Sequence, residues 1–295
     1  MKGFLQKVLL FAFVVLLVMG MAEAYVRSLP NPSKAKHDWM GQHSTTVTTL
    51  VLGNSHTFYG IRPALLADSA FSLAQVSQTY RYDLFLLRHY DMPRLRCVVL
   101  PLSYFSLYED FEEQGNVADA IRYRLYMDCP LHSRFGPYGF ELMGGQAFKE
   151  KLKSLWKPAA LEWDSLGGGI YRKEKRKTDW DNGAVRAKEH TYPQQECLSL
   201  NRGLLCEIFE WCKGHGVRVV WVRMPASKAY WQHVSPLQEH ATAVVRDSLL
   251  RRFGNVEYVD FGEPDFLSPS DFFDGDHLNT TGAEKLTRQL RPYVE

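Results

Sequence analysis

Two short segments near opposite ends of the chain hold side chains that could carry out nucleophilic chemistry. Residues 53–56, Gly-Asn-Ser-His, place Ser55 where the apolar run 47–52 ends, and Asp274 precedes His277 by three residues. A serine hydroxyl is a weak nucleophile at neutral pH and needs a base, which a third group orients. The two segments therefore predict Ser55 as nucleophile, His277 as its base and Asp274 as the orienting acid.

Each segment also has a plainer interpretation. Asn-Ser is a common turn sequence, and residues 274–280 could lead into a helix capped by Thr280 or Thr281. Their joint occurrence at the first and last strand ends of one α/β pattern favours the catalytic interpretation. Two neighbours stay open: Asp276 is an alternative orienting acid, and His56 is either structural or a substrate contact.

An alternation of strands and helices must position these residues. The apolar and β-branched patterns predict strands at 47–52, 71–73, 97–100, 217–222 and 256–259. Helical patterns lie between them and after the last, which is typical of a parallel sheet covered on both faces. Ligands of such sheets bind beyond the carboxyl ends of the strands. Ser55, Asp274 and His277 all follow strands, so we expect them at that edge.

A long segment interrupts the alternation. Residues 103–191 are rich in aromatic residues, glycine and charge, and their periodicity is weak. A crossover connection rarely needs so many residues. We interpret this segment as an insertion that shapes a substrate groove at the carboxyl edge of the sheet. The aromatic residues that open it are mainly expected in the core, with a sugar-stacking role as the alternative and Tyr104 as the candidate substrate contact.

The N-terminus predicts export. Lys2 and Lys7 precede the apolar run 8–21, and Ala-Glu-Ala follows at 22–24, which is the pattern of a secretory signal. The run is short for a membrane span of about 20 residues, but Phe4 and Leu5 could extend it into an uncleaved anchor. We therefore expect a signal peptide or anchor at 1–24, a linker or irregular lead-in at 25–46, and one α/β domain at 47–295 outside the cytoplasmic membrane, in the periplasm or cell envelope.

Charge and cysteine content exclude several classes of function. The net charge of +2 comes without a dominant basic stripe, so no nucleic-acid partner is expected. The five cysteines form no Cys-x-x-Cys pair and no zinc-ligand spacing, so no metal site is predicted. Cys97 is expected to be a small buried hydrophobe. In an oxidising compartment Cys129 could pair with another cysteine, but no connectivity follows from the sequence.

The two motifs resemble the first and last sequence blocks of the SGNH (GDSL-type) hydrolases, with Leu278, Asn279 and Gly282 extending the second block. The residue two positions after the serine is Thr57, where the α/β-hydrolase elbow has glycine, and this favours the SGNH class. The resemblance covers the chain from about residue 47 to its end, apart from the insertion. It implies a three-layer αβα sandwich with about five parallel strands.

The resemblance also implies an oxyanion hole built by two middle blocks. One block normally supplies a glycine N–H, and the nearest residue here is Ser77, whose backbone can still donate. The other normally supplies an asparagine side chain, and here Ser103 stands in its place with a shorter reach. Losing one such donor costs on the order of 3 kcal/mol of transition-state stabilisation. These changes are similar to those in branches that act on cell-envelope polymers, including O-acetylation proteins and the teichoic-acid D-alanylation protein.

Motifs and resemblance together imply a serine esterase or O-acyltransferase that acts on an acylated carbohydrate or another small envelope ester. No cofactor is expected, and the partner for transfer would be a membrane acyltransferase. The alternative is a non-catalytic envelope protein of the same fold that binds glycan or such an acyltransferase. A metal phosphoesterase is disfavoured because the chain has few clustered His and Asp ligands.

Overall fold

The computed structural model describes residues 2–115, 117–130, 139–143 and 162–295. The chain divides into two compact units, one formed by Met1–His37 with Gly115–Ala160 and the other by Asp38–Gln114 with Leu161–Glu295. The strands are β1 (Thr49–Val51), β2 (Ala70–Ser72), β3 (Cys97–Pro101), β4 (Glu162–Trp163), β5 (Gly169–Ile170), β6 (Arg218–Arg223) and β7 (Val256–Asp260). The helices are α1 (Lys2–Ser28), α2 (Pro32–His43), α3 (Ser55–Gly60), α4 (Pro63–Leu66), α5 (Tyr80–His89), α6 (Val117–Tyr126), α7 (Gly183–Glu189), α8 (Leu198–Gly214), α9 (Lys228–Trp231), α10 (Pro236–Arg252) and α11 (Thr280–Val294).

The second unit is built on a five-stranded sheet in the order β2-β1-β3-β6-β7. All four strand pairings are parallel, as in the register Leu50 to Val98. Strands β1, β2 and β3 are buried along their whole length, because helices cover both faces of a parallel sheet. Val220 packs in one core cluster with Leu286 of α11, while the ring of Trp221 meets Phe209 of α8 on the opposite face. The expected three-layer αβα sandwich with five parallel strands is confirmed.

The lead-in expected at 25–46 is not irregular. Helix α1 extends to Ser28 and helix α2 occupies Pro32–His43. Proline at the first helical position is tolerated because its missing N–H would have no intrahelical partner there. Trp39 stacks on Phe71 with ring centroids 3.8 Å apart, and Met40 is fully buried. The side chains of Trp39 and Met40 thus stabilise a helix that the polar composition of this segment did not predict.

The expected insertion contributes little regular structure to the second unit. Strands β4 and β5 form a separate two-stranded antiparallel sheet, and α7 follows them. Residues 116, 131–138 and 144–161 of the predicted insertion lie outside the described residues. The domain boundaries at 24, 46, 103 and 191 stay predictions.

Helix α1 is the one helix, within the described part of the chain, that is long and apolar enough to cross a membrane. Its 27 residues would span about 40 Å at the helical rise of roughly 1.5 Å per residue. None of its most apolar stretch is buried.

None of the five cysteines is in a disulfide bond. Cys97 lies in β3 with no exposed surface, which confirms the prediction of a small buried hydrophobe.

Candidate active site

A glycine at a position that is strained for other residues leads the chain into Ser55. After β1 ends at Val51, Gly53 adopts a φ of +102°, and a Cβ placed there would lie 2.2 Å from the ring of Pro101. Ser55 then begins helix α3, and the side chain of the N-cap residue Asn54 accepts a hydrogen bond from the His56 N–H at 3.0 Å. The close packing against β3 and the capping bond fix the direction in which Ser55 leaves the strand.

The structure brings the three predicted catalytic residues together. Ser55 Oγ lies 2.8 Å from His277 Nε2, and His277 Nδ1 lies 2.9 Å and 3.1 Å from the carboxylate oxygens of Asp274. These contacts are satisfied when Nδ1 carries the proton and donates it to Asp274, while Nε2 accepts from the serine. Asp274 also accepts the His277 backbone N–H at 2.9 Å. This arrangement can transfer the serine proton to the imidazole as the hydroxyl attacks.

The alternative acid, Asp276, has different partners. Its buried carboxylate accepts hydrogen bonds from His56 Nε2 at 3.2 Å and from Arg186 Nε and Nη2 at 3.0 and 3.3 Å. Its Oδ1 lies 3.5 Å from His277 Nδ1, farther than either oxygen of Asp274. Asp274 is therefore the acid with the hydrogen bond to the base. His56 is 5% exposed and its side chain bonds Asp276. This favours a structural role for His56 over a substrate contact.

Arg186 was missed by the sequence reasoning. It lies on α7, within the predicted insertion, and its Nη2 also contacts His190 Nε2 at 3.1 Å. His190 Nδ1 in turn lies 2.8 Å from the hydroxyl of Tyr230. None of these residues stands near a recognisable motif. The one available signal was the expectation that the insertion borders the carboxyl edge of the sheet.

The buried groups around the base differ in charge. Burial lowers the pKa of His277, but the carboxylates of Asp276 and Asp274 outweigh this and hold that pKa above its ordinary value. Burial keeps the pKa of His56 low despite Asp276, and it lowers the pKa of His190 to about 3. For Asp276, burial raises the pKa, yet the neighbouring His277, His56 and Arg186 pull it well below its usual range. At neutral pH the cluster thus holds an ionised Asp276 between two neutral imidazoles, those of His56 and His190.

Ser77 occupies a glycine-like turn beside the nucleophile. Its φ of +58° lies in the left-handed region, which a glycine would adopt without strain. The Gln75 N–H donates to the Gly53 carbonyl at 3.0 Å and draws this turn toward the serine turn. Asp83 joins the two turns again, because its Oδ1 accepts the Gly53 N–H at 2.8 Å and the Gln78 side-chain amide at 2.6 Å. Ser77 thus lies in a turn that is hydrogen-bonded to the serine turn, and the donation of its N–H to an oxyanion stays a prediction.

Ser103 does not present its hydroxyl as expected. It is 2% exposed, and its Oγ lies 3.1 Å from Asn54 Nδ2 and 3.2 Å from Asn54 Oδ1. The Asn54 amide also donates to Ser106 Oγ at 3.1 Å. The short serine side chain finds its partner in the residue beside the nucleophile, so its expected role as a side-chain oxyanion donor is corrected to that of a support for Asn54.

Tyr104 is likewise corrected. It is 2% exposed and packs with Ala187 and Tyr230. Its hydroxyl contacts Thr191 Oγ1 at 2.9 Å and accepts the Ser235 N–H at 2.8 Å. Its burial and its two hydroxyl partners favour the core interpretation of Tyr104 over that of a substrate contact.

A different set of rings borders the base. Tyr59, Tyr171 and Phe273 form a stack with successive ring centroids 3.6 and 4.0 Å apart. Tyr59 and Tyr171 each meet the His277 ring edge-on at 5.7 Å. Tyr171 and Phe273 are half-buried. The sequence analysis missed this stack, although Phe273 stands directly before Asp274.

The three nearest potential metal ligands do not fit a cation. One ligand atom each from His56, Asp276 and His277 lies within 4.8 Å of the others. However, the Arg186 guanidinium already bonds both oxygens of Asp276, and His277 Nε2 faces Ser55. A divalent cation there would meet a fixed positive charge.

No protein-family model matches the chain, and neither does any curated protein. Among solved structures, it is similar to a provisionally assigned platelet activating factor from Streptococcus pneumonia, with 11% identity, a TM-score of 0.46 and 96% and 99% of the two chains covered. It is also similar to a provisionally assigned acylhydrolase from Bacteroides fragilis (12% identity, TM-score 0.40, 92% and 93% covered) and to a GDSL-like lipase from Bacteroides thetaiotaomicron (10%, 0.41, 88% and 97%).

Proposed function

We propose that this protein is a serine ester hydrolase or O-acyltransferase that acts on an acylated glycan or another envelope ester. The observation that carries the proposal is the 2.8 Å approach of Ser55 Oγ to His277 Nε2, with Asp274 on the opposite nitrogen of the same ring. A hydroxyl, a base and an orienting acid in this order are the parts that acyl transfer through a serine requires.

The first half-reaction follows from this geometry. As Ser55 Oγ bonds to the acyl carbonyl carbon, His277 Nε2 takes its proton and Asp274 stabilises the resulting imidazolium. The carbonyl oxygen becomes negative and is stabilised by backbone N–H groups, for which Ser77 is the candidate. When the intermediate collapses, His277 returns the proton to the departing alcohol oxygen and leaves an acyl ester on Ser55.

The second half-reaction distinguishes the two activities. Water or a sugar hydroxyl attacks the acyl-enzyme, His277 removes its proton, and Ser55 leaves as the alcohol. Water yields a free acid, whereas a sugar hydroxyl yields a new ester. The half-buried ring of Phe273, at the end of the stack beside the base, offers an apolar surface on which a sugar ring or a short acyl group could pack.

Contacts of α1 support an uncleaved membrane anchor. Glu23 accepts the backbone N–H groups of Glu141 at 2.8 Å and Leu142 at 3.0 Å, and it pairs with Arg27, which itself donates to the Gly139 carbonyl at 2.8 Å. Cleavage after residue 24 would remove Glu23 from this set. We therefore propose that α1 stays attached and holds the α/β domain at the outer side of the cytoplasmic membrane. The intact mass of the membrane-bound protein tests this, since a chain starting at Tyr25 would refute retention.

Labelling by a fluorophosphonate probe and turnover of a chromogenic acetyl ester test the catalytic proposal. Ser55→Ala and His277→Ala are expected to abolish labelling, while the control Ser69→Ala, an exposed serine before β2, should label as the wild type does. Adding an oligosaccharide acceptor separates the two activities. Transfer product without released acid would identify an acyltransferase, and acid release unaffected by acceptor would identify an esterase.

A non-catalytic envelope protein is the second candidate. The commitment of the Ser103 hydroxyl to Asn54 favours it, because this leaves the expected oxyanion hole without a side-chain donor. Such a protein would bind an acylated glycan or a membrane acyltransferase, and Ser55→Ala would leave its biological activity intact. The catalytic proposal instead expects that substitution to reduce activity by several orders of magnitude.

A further inference from the structure

Two carboxylates, and not one, flank the base of the proposed triad. Asp274 makes the hydrogen bond to His277 Nδ1, but its side chain is 26% exposed. Asp276 Oδ1 lies 3.5 Å from the same nitrogen, and its side chain has no exposed surface. Because water screens a charge far less inside the protein than at its surface, the buried carboxylate acts strongly on His277 despite the longer distance.

Two partners hold the Asp276 carboxylate in place. Arg186 bonds one oxygen through Nε and the other through Nη2, which fixes the plane of the carboxylate. His56 donates to Oδ2 through Nε2 at 3.2 Å and stays neutral. The other oxygen, Oδ1, accepts the Arg186 Nε hydrogen bond at 3.0 Å and also lies 3.5 Å from His277 Nδ1.

Helix α7 is tied to the same loop at a second point. The Asn182 side chain, directly before α7, accepts the Gly275 N–H at 2.9 Å. A Cβ on Gly275 would lie 2.2 Å from the Gly183 nitrogen, so the loop and the helix pack without space for a side chain. Helix α7 and the residue before it therefore contact the loop that carries Asp274 and His277 at two points, Gly275 and Asp276.

We propose that Asp276, fixed by Arg186 and His56, is a positioning residue that shares with Asp274 the stabilisation of the His277 imidazolium. Through Arg186, helix α7 of the predicted insertion then belongs to the catalytic apparatus and is more than the wall of a groove. The catalytic part of this inference rests on the proposed function; its electrostatic part does not.

The groups that face His277 are few. Asp274, Asp276 and His56 lie around it, the edges of Tyr59 and Tyr171 meet its ring, and Ser55 contacts Nε2. Behind Asp276 stand the other members of the cluster, Arg186, His190 and Tyr230. Burial raises the pKa of Tyr171 to about 12, so this tyrosine is neutral. The carboxylates of Asp274 and Asp276 are the groups beside His277 Nδ1.

The titration of the His277 ring, followed by NMR in the full-length protein in detergent micelles, tests the proposal without any turnover. His277→Gln assigns the signal. Asp276→Asn is expected to lower the titration midpoint by about one pH unit, a tenfold weaker proton affinity, because it removes a buried negative charge. The matched control is Glu189→Gln, which removes an exposed carboxylate that also bonds Arg186 and is expected to leave the midpoint in place.

Arg186→Gln separates electrostatics from mere loosening of the site. Removal of the guanidinium charge is expected to raise the His277 midpoint, opposite in sign to Asp276→Asn, and it keeps the proposal testable if Asp276→Asn does not fold. Equal midpoints in wild type and Asp276→Asn, or shifts of the same sign in both variants, would overturn the proposal.

Kinetic measurements then separate a failure of the proposed function from a failure of the proposed role of Asp276. If the ester is hydrolysed, the acidic limb of the kcat/KM profile in Asp276→Asn should move to lower pH together with the NMR midpoint. A shifted NMR midpoint in a wild-type protein that turns over no ester would reject the proposed function and retain the role of Asp276 as a neighbour of His277. A limb that stays in place while hydrolysis proceeds would reject that role in catalysis.

Discussion

Ser55 Oγ and His277 Nε2 meet at 2.8 Å although 222 positions separate the two residues in the chain. Ser55 stands after the strand that lies second in the sheet, and His277 stands in the loop after the strand at the far edge. Their contact therefore depends on the fold of the whole α/β domain, which brings the two loops together at the carboxyl edge of its sheet.

The pH dependence of hydrolysis should follow His277. The base works when neutral, and its carboxylate neighbours hold its pKa above the ordinary value of 6.5. The kcat/KM for an acetyl ester should thus fall as the pH drops through a midpoint above 6.5. A profile that stays flat down to about pH 5 would contradict the assignment of His277 as base.

Replacement of Ser77 by glycine should stabilise the fold. A non-glycine residue in the left-handed region costs on the order of 1 kcal/mol, so Ser77→Gly is expected to raise the free energy of unfolding by about that amount and to keep the backbone N–H in place. Denaturant unfolding and ester turnover measure the two effects.

Ser69→Gly is the matched control for this change. Ser69 is not among the residues with positive φ, so glycine there only adds freedom to the unfolded chain and should destabilise the fold by about 0.5–1 kcal/mol. If both glycine variants lose stability equally, the turn at Ser77 is not under the strain that its φ indicates.

Asp83 should make the stability of the fold depend on pH. Burial raises the pKa of Asp83 to about 7, whereas in the unfolded chain it ionises near 3.8. Between these values the folded state keeps a proton that the unfolded state has lost, so the contribution of Asp83 to stability falls as the pH rises from about 4 to about 7. The Asp83→Asn variant has no carboxyl group at this position, so its stability lacks this pH dependence.

The free energy of unfolding of both proteins at pH 5 and pH 8 checks this. The wild type is expected to lose stability relative to Asp83→Asn between these two values, because its carboxylate must ionise in a buried site next to the Gly53 N–H and the Gln78 amide. Parallel changes in the two proteins would show that Asp83 titrates normally.

Gly53→Ala should damage both fold and activity. The new Cβ would lie 2.2 Å from the Pro101 ring at a φ of +102°, so the serine turn must shift, at a cost of about 1–3 kcal/mol. We expect a lower melting temperature and a lower kcat in the fraction that folds. Gly203→Ala, in open space on α8, is the control and should be neutral or stabilising by up to about 1 kcal/mol.

Local residue patterns were enough to place the strands and to identify the triad candidates. The apolar runs predict β1, β2, β3 and the interior of β6 because these are buried on both faces of a parallel sheet, and such burial leaves a continuous signal in a short window. Ser55, Asp274 and His277 could be singled out because their chemistry depends on residue types at fixed short spacings. The helix Pro32–His43 escaped this reasoning, since its stability comes from Trp39 and Met40 packing on distant residues.

The roles of the neighbouring side chains depend on the folded arrangement of the chain. Spacing alone left Asp274 and Asp276 as competitors, whereas the fold gives Asp274 the hydrogen bond to His277 and surrounds Asp276 with Arg186 and His56. It also committed the Ser103 hydroxyl to Asn54. The partner of a buried polar group depends on which side chains approach it from elsewhere in the chain. Hydrogen bonds between residues dozens of positions apart leave no pattern in a local stretch of sequence.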